Sequence, residues 1–377
     1  MKDVVITAAA TVTALGDSLD QTWNRLLAAE SGIATVERFD TRVFTSSFAA
    51  CVSDLEMAPC GSRLPTLLDR LLDGFPAVPR DSRLMFASTK GAIDLLERRC
   101  RGEKVAARTL LFDSLLEDLA KRFDLAGTGC NINAACASST IAVARGAAVI
   151  ASGQAETAVV VCCDLVSEFV FSGFSALKGL DSAPSRPFDS DRAGLTLGEG
   201  AAALMLMSRK RAIETNSPVL ARVLGWGAAN DAHHITAPAR DGSGLIRAVK
   251  QALSVAGLPE EAVDGISAHG TGTLYNDAME LTAFKQVFGD RRLPLHSVKG
   301  ALGHTLGAAG GLEVALGLRS LETGLIPPTV GLIQPELAAQ GQAAAISQSF
   351  GGETLLSTNS GFGGINGALL LGREANA

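Results

Sequence analysis

The chain has 377 residues, more than one hydrophobic core usually organises, so its length predicts two domains or two similar halves that share a core. Hydrophobic residues make up 47% and charged residues 19%, which excludes a disordered chain. A formal net charge of -6, without a run of lysines and arginines, argues against nucleic acid or an anionic membrane as a partner. Seven cysteines without CxxC spacing argue against a metal site and favour a reducing cytoplasm.

Strands and helices alternate in the first half of the chain. Residues 3–14 predict a buried strand rather than a signal peptide, because Asp3 interrupts the apolar stretch and β-branched residues dominate it. The proline-containing stretch 52–84 predicts an irregular excursion with one short helix. Helical patterns follow over residues 82–99 and 110–123.

The remaining segments continue this alternation. The Gly- and Asn-rich segment 126–139 predicts a strand, a tight turn and a helix, and the Val-rich segment 156–166 predicts a buried parallel strand. The later predicted elements are a strand at 201–208, a helix at 245–257, a strand and Gly-rich loop at 264–273, helices at 278–287 and 312–323, and closing strands at 344–349 and 367–372. This order predicts an α/β architecture with largely parallel sheets.

Cys136 is the candidate nucleophile. In NAACASST it stands between a polar segment and an alanine-rich helix, so its sulfur is expected at the positive end of that helix, where a thiol pKa is lowered. A buried, inert cysteine is the commoner fate of a free thiol. The balance changes because histidines occupy Gly-rich or polar loops: His269 in AHGTGT, His304 in GHTLGAAGG, and a pair in DAHHITAP.

A third Gly-rich stretch, TNSGFGGIN, places Phe362 among glycines. Its free backbone could bring the Phe362 amide beside the Cys136 amide, where the two N–H groups would hold an oxyanion. Nucleotide binding is excluded, because no Gly-rich loop carries the Lys-Ser pair of a P-loop or follows a strand with Rossmann spacing. The vicinal Cys162 and Cys163 lie in a Val-rich strand and are interpreted as core.

Five motifs in order resemble the β-ketoacyl-acyl-carrier-protein synthases: ACASS, RPFDSDRAGLTLGEGA, AHGTGTLYNDAMEL, SVKGALGHTLGAAGG and TNSGFGGIN. The resemblance covers the first fifty residues and nearly everything from residue 125 onward. It implies a thiolase-like fold of two similar βαβαβ halves in a layered α-β-α-β-α arrangement. The half at 1–205 would hold the nucleophilic cysteine, and the half at 206–377 the two catalytic histidines.

By this resemblance, the chain carries out a decarboxylative Claisen condensation in fatty acid or polyketide biosynthesis. Cys136 would accept an acyl group from the phosphopantetheine arm of an acyl carrier protein, after which malonyl carrier protein enters. The N–H groups of His269 and His304 would stabilise the enolate that forms as carbon dioxide leaves. No cofactor or metal is implied beyond the substrates' own phosphopantetheine.

The resemblance also assigns roles around the nucleophile. Lys299 would fix the histidine region with Glu313 as its partner, and Glu280, Glu313 and Asn359 match an optional structural monovalent-cation site. A surface position for Lys299 is the competing interpretation.

Substrate-binding residues follow from the same motifs. Thr271 and Thr273 match positions that hydrogen-bond the pantetheine arm, and Phe362 and Phe174 match the gate and wall of the acyl pocket. A basic patch for an acidic carrier protein is expected near the pocket mouth. Its candidate residues are Arg186, Arg192 and Lys178.

The sequence departs from the family pattern in places. Residues 52–125 form a shorter segment than in typical members, and Ser360 and Ala193 replace a common aromatic and a common aspartate. Two alternatives therefore stay open: a non-elongating, chain-length-factor-like partner subunit of a heterodimer, which Cys136 argues against, and a thiolase or initiating synthase, which His304 argues against. A cytoplasmic homodimer is expected from the resemblance.

Overall fold

A computed structural model describes residues 2–374. Within them the strands are β1 Val4–Thr13, β2 Ile33–Thr35, β3 Phe48–Ala50, β4 Arg83–Ala87, β5 Cys130–Asn131, β6 Thr157–Asp164, β7 Leu197–Gly198, β8 Gly200–Ser208, β9 Ala221–Asn230, β10 Gly265–Ser267, β11 Leu295–His296, β12 Leu325–Ile326, β13 Gln348–Ser349, β14 Thr354–Gly361 and β15 Ile365–Gly372. The α-helices are α1 Leu19–Leu27, α2 Leu64–Leu72, α3 Ile93–Cys100, α4 Phe112–Arg122, α5 Ser138–Ala151, α6 Glu168–Ala176, α7 Arg209–Glu214, α8 Ser243–Ala256, α9 Leu274–Phe288, α10 Lys299–Leu302 and α11 Ala309–Thr323. No helix in this range has the length and apolar character needed to cross a bilayer.

The strands repeat one arrangement twice. From the outer edge inward, the first half orders its strands β5-β4-β6-β8-β1 and the second half β11-β10-β14-β15-β9. In both halves the outer three strands pair in parallel, and the inner two add antiparallel. The halves meet where β1 pairs with β9 at Val5 and Ile6. This duplication confirms the predicted thiolase-like fold, although β8 ends at Ser208 and β9 begins at Ala221, beyond the boundary predicted at residue 205.

Two helices form the layer between the sheets. Helix α5 contacts β4 and β6 of the first half and β9 and β15 of the second, while α11 contacts β14 and β8. Helix α2 covers the outer face of the first half, and α8 covers that of the second. The arrangement is therefore helix, sheet, helix, sheet, helix, with the catalytic loops emerging beside the central helices.

Glycines let the two central helices approach each other closely. A Cβ atom on Gly310 of α11 would lie 2.0 Å from Thr140 Oγ1 of α5, and one on Gly311 would lie 2.3 Å from Cys162 Sγ. A larger residue at Gly310 would push α11 away from α5, and one at Gly311 would push it away from β6. Cys162 and Cys163 are fully buried on β6, as their core interpretation predicts.

One element prediction was wrong and a second is confirmed only in part. Residues 82–99 are not one helix, because Arg83–Ala87 form β4, paired on both sides, and the helix begins only at Ile93. A short apolar run does not distinguish a buried strand from a helix. Of the strand predicted at 344–349 only β13, Gln348–Ser349, forms; it pairs with β12, and the closing pair is β14 with β15. The helices predicted at 278–287 and 312–323 are confirmed and begin earlier, at Leu274 and Ala309.

Candidate active site

Cys136 lies at the turn between β5 and α5, two residues before the helix begins. The preceding residue, Ala135, has a φ of 49°, in the left-handed region, and the Ser138 hydroxyl accepts from the Ala134 amide at 2.9 Å. This sharp turn points the sulfur into a cavity of about 420 Å³. Cys136 is only 7% exposed, so the cavity is its route to a substrate.

Both candidate histidines meet Cys136 in this cavity. The Cys136 sulfur and one ring nitrogen each of His269 and His304 all lie within 4.8 Å of one another. The two imidazole ring centroids are 5.1 Å apart and their planes stand at 84°. His269 follows β10 and His304 follows α10, and a bond from the His304 amide to the Thr196 carbonyl, at 2.7 Å, holds the second loop. Three loops far apart in sequence thus converge on one point.

Asn359 sets the tautomer of His269. The Asn359 Nδ2 group lies 3.0 Å from His269 Nδ1 and donates to Glu313 Oε2 at 2.7 Å, while the Thr140 hydroxyl bonds to Asn359 Oδ1. Because the amide nitrogen is the donor, His269 Nδ1 accepts and the ring proton stays on Nε2. His269 therefore offers an N–H donor on its other nitrogen.

Lys299 is buried beneath the histidines. Its Nζ atom donates to the His269 carbonyl and to Glu313 Oε1, both at 2.5 Å, and the two side chains are 2% and 1% exposed. The surface interpretation of Lys299 is therefore wrong. The ammonium fixes the backbone of His269 and places a positive charge below the cavity.

Replacing Glu313 with glutamine is expected to lower the free energy of unfolding by about 3–5 kcal/mol, because the Lys299 charge would stay buried without its counter-ion. Urea denaturation of both proteins measures this. The double variant Lys299→Met, Glu313→Leu should be more stable than Glu313→Gln, since it buries no unpaired charge. A Glu313→Gln protein as stable as the wild type would contradict this account of the pair.

The protonation states follow from burial. Burial raises the pKa of the Cys136 thiol to about 11, and the Lys299 charge and the Phe362 amide oppose this less strongly. Burial therefore opposes the lowering of the thiol pKa expected from the helix terminus. Burial, and then the Lys299 charge, hold the pKa values of His269 and His304 well below the usual range, so both rings are neutral.

Phe362 contributes its backbone and its ring. Its amide lies near the Cys136 sulfur, and a Cβ on the neighbouring Gly361 would lie 3.0 Å from the Cys136 amide nitrogen. The end of β14 therefore packs directly on the nucleophile turn, which places two amides next to the sulfur. The ring of Phe362 stacks on Phe174 with centroids 5.6 Å apart, and both rings line the cavity.

Thr271 and Thr273 line the cavity on its other side. Their hydroxyls are 2.9 Å apart, and the buried Asp277 carboxylate accepts from the Thr271 amide at 3.0 Å and from the Gly272 amide at 3.1 Å. Asp277 thus holds the loop that presents both hydroxyls. Sequence reasoning missed Asp277, although its position in the first turn of α9 directly after the loop was a usable signal.

Glu280 supports the same loop from below. One of its oxygens accepts from the His269 amide and the other from the Gly270 amide, both at 2.7 Å, and Asn276 Nδ2 adds a bond at 2.9 Å. The cation site predicted at Glu280, Glu313 and Asn359 does not fit this arrangement. Amide donors already occupy the Glu280 oxygens, and the Lys299 ammonium already neutralises Glu313.

Glu280 gives the fold a pH dependence. Burial, and then the nearby Asp277, raise the pKa of Glu280 from 4.5 to about 8. The folded protein therefore holds this proton more tightly than the unfolded chain, and the resulting stability is complete below pH 4.5 and lost as pH rises to 8. As pH rises from 4.5 to 8, the free energy of unfolding of the wild type should fall relative to that of Glu280→Gln. If urea denaturation gave the same stability difference between the two proteins at every pH, this account would be contradicted.

The predicted basic patch is only partly available. Arg192 is buried, ion-paired with Glu336 at 2.5 Å and close to Asp277, so its place in the patch is wrong. Arg186 is 28% exposed and bonds to the Asp191 carbonyl. Lys178 is exposed and lines the cavity mouth.

Comparison with known proteins decides the family. The model described as "Beta-ketoacyl synthase, N-terminal domain" matches residues 118–212, and that described as "Beta-ketoacyl synthase, C-terminal domain" matches residues 220–332. The 3-oxoacyl-(acyl-carrier-protein) synthase 2 of Mycobacterium bovis is 31% identical, covering 98% of this chain and 97% of the relative. This chain belongs to the β-ketoacyl synthase family. It is a condensing acyltransferase, as the five motifs predicted.

Two further β-ketoacyl synthase relatives agree with this assignment. The 3-oxoacyl-(acyl-carrier-protein) synthase 2 of Coxiella burnetii is 29% identical over 98% of both chains. The solved structure named "The ishigamide ketosynthase/chain length factor" superposes with a TM-score of 0.90 and 29% identity, covering 99% of this chain and 100% of that one. The shorter 52–125 segment therefore does not change the fold.

Proposed function

We propose that this β-ketoacyl synthase elongates acyl groups on an acyl carrier protein, with Cys136 as nucleophile and His269 and His304 as the decarboxylating pair. The convergence of one thiol and two neutral imidazoles in a single cavity carries this proposal. The similarity to two 3-oxoacyl-(acyl-carrier-protein) synthases supports it.

In the first half-reaction the acyl group moves to Cys136. The thiol loses its proton as its sulfur attacks the thioester carbonyl of the acyl-phosphopantetheine, and the pantetheine thiol leaves with a proton. The oxyanion that forms is stabilised by the amides of Cys136 and Phe362, which lie beside the sulfur. Burial raises the thiol pKa to about 11, which favours loss of the proton together with attack on the carbonyl.

In the second half-reaction malonyl carrier protein enters the same cavity. The carbon–carbon bond to the carboxylate breaks, and its electron pair forms an enolate whose oxygen takes hydrogen bonds from His269 Nε2–H and His304. Neutral imidazoles suit this role because each can donate one N–H hydrogen bond to the developing negative charge. The enolate carbon then attacks the Cys136 thioester, and the thiolate leaves.

The cavity wall fits a pantetheine arm. The hydroxyls of Thr271 and Thr273 face the cavity along its polar side, and the stacked rings of Phe174 and Phe362 form an apolar side. We assign the hydroxyls to the arm, and the rings to gating the acyl chain. The reaction as proposed needs no cofactor or metal of the protein's own.

The assembly and location form part of the same proposal. We propose a homodimer in the cytoplasm that binds an acidic carrier protein at the cavity mouth, near Lys178. Strand β5 ends the sheet of the first half and leaves an edge next to the nucleophile turn. Sedimentation of the active protein as a dimer is expected, and a stable, active monomer would refute this assembly.

The test is a turnover assay with purified chain, acyl carrier proteins of several chain lengths and malonyl carrier protein. Mass spectrometry of the carrier should reveal a 3-oxoacyl product two carbons longer than the acyl donor. No product from the chain alone, with product restored by a second subunit, would instead favour the partner-subunit alternative.

A further inference from the structure

Three buried polar side chains stand in a row beneath the catalytic network. His296 on β11, Ser267 on β10 and Ser357 on β14 are neighbours in the register of three adjacent strands. They are at most 1% exposed. Neither ring nitrogen of His296 and neither serine hydroxyl has a hydrogen-bond partner within residues 2–374. We refer to these three residues as the polar row.

The polar row shares its side of the sheet with the catalytic residues. Ser357 and Asn359 lie two residues apart on β14, and Ser267 is the register partner of Ser357. Side chains two apart along a strand point to the same face. The polar row therefore lies farther from the cavity than the contact between Asn359 and His269. It lies on the side of the sheet that carries α11 and Glu313.

Glu313 bonds to both Asn359 and Lys299, which places the Lys299 ammonium on the same side of the sheet, with one proton to spare. An ammonium carries three N–H donors. Two of them go to the His269 carbonyl and to Glu313, and no third acceptor is found among the described residues. Burial, and then the Lys299 charge, lower the pKa of His296 to about 3, so its imidazole is neutral.

Buried donors and acceptors in folded proteins are nearly always satisfied, and where protein partners are lacking an ordered water commonly makes about three hydrogen bonds to such groups. We propose that the polar row binds ordered water that accepts the third N–H of Lys299, and that His296 is thereby a positioning residue for Lys299. This inference rests on the proposed function, in which Lys299 fixes the loop of His269 for decarboxylation.

His296→Leu removes both ring nitrogens and is expected to lower kcat for malonyl decarboxylation about tenfold, because a buried ammonium proton loses its acceptor. KM for malonyl carrier protein should change less than twofold, and acyl transfer to Cys136 should be unaffected. His296→Gln keeps a polar group and should restore most of kcat.

Thr157→Val is the matched control. Thr157 on β6 also carries a buried hydroxyl that lacks a partner in residues 2–374, but it lies in the other half of the fold. Its replacement should leave decarboxylation unchanged. An unaffected His296→Leu protein, equal losses in Thr157→Val, or a parallel loss of acyl transfer and decarboxylation would each overturn the inference.

A high-resolution crystal structure of the unmodified chain tests the water directly and also decides the case if His296→Leu does not fold. It should contain an ordered water within about 3.2 Å of the His296 ring and of Lys299 Nζ. A ring in contact only with apolar atoms would overturn the inference. A wild-type protein without decarboxylase activity that nevertheless contains this water would refute the proposed function and leave the water site standing.

Discussion

Replacing Cys136 with alanine is expected to reduce 3-oxoacyl product formation by about 10³-fold or more, because no other cysteine lines the cavity within residues 2–374. Intact-mass measurement should find no acyl adduct on the variant. Decarboxylation of malonyl carrier protein should continue, since that step depends on His269 and His304 rather than on the sulfur. The two activities are therefore separable in one protein.

Cys130→Ala is the control for this substitution. Cys130 lies only six residues earlier, on β5, but it is exposed and outside the cavity. Its replacement should leave both the adduct and the product unchanged. An acyl adduct that persists in Cys136→Ala, or that disappears in Cys130→Ala, would assign the nucleophile elsewhere.

Replacing His304 with alanine should produce the opposite separation. Removal of one hydrogen-bond donor to a developing oxyanion costs about 100- to 1000-fold in rate, so decarboxylation should fall by that factor. Acylation of Cys136 should change far less, because the oxyanion of that step is held by backbone amides. The acyl adduct should therefore accumulate and stay when malonyl carrier protein is added.

The exposed His233 supplies the comparison for the His304 variant. It is a histidine in a loop of the same half but does not line the cavity. His233→Ala should consume its acyl adduct at the wild-type rate. Equal loss of acylation and decarboxylation in His304→Ala would show that His304 supports the nucleophile rather than the enolate.

The loops that carry the catalytic residues could be predicted from sequence, because a turn depends mainly on the residues within it. Cys136, His269 and His304 each stand in a short stretch whose composition already indicates a turn. Their meeting within 4.8 Å depends on the duplicated sheet, and it was reached through the family resemblance rather than from spacing. The pair Lys299 and Glu313 followed from the same resemblance.

The contacts that hold the catalytic residues in place could not be predicted from sequence, because they join distant segments of the chain. Asn359 was predicted only as a cation ligand, yet it orients His269 and bonds to Glu313. Arg192 was placed on the surface, although it ends in a buried ion pair with Glu336. The thiol pKa was expected to fall because only the helix terminus was considered, whereas burial in the folded protein raises it.

The most direct test of the central claim is a single turnover of pre-acylated protein. Cys136 is first loaded from an acyl carrier protein, and malonyl carrier protein is then added while intact mass and released carbon dioxide are followed together. The adduct should disappear at the rate at which carbon dioxide and the 3-oxoacyl product appear, in equal amounts. An adduct that is released by hydrolysis, without carbon dioxide or a longer product, would contradict the elongating function.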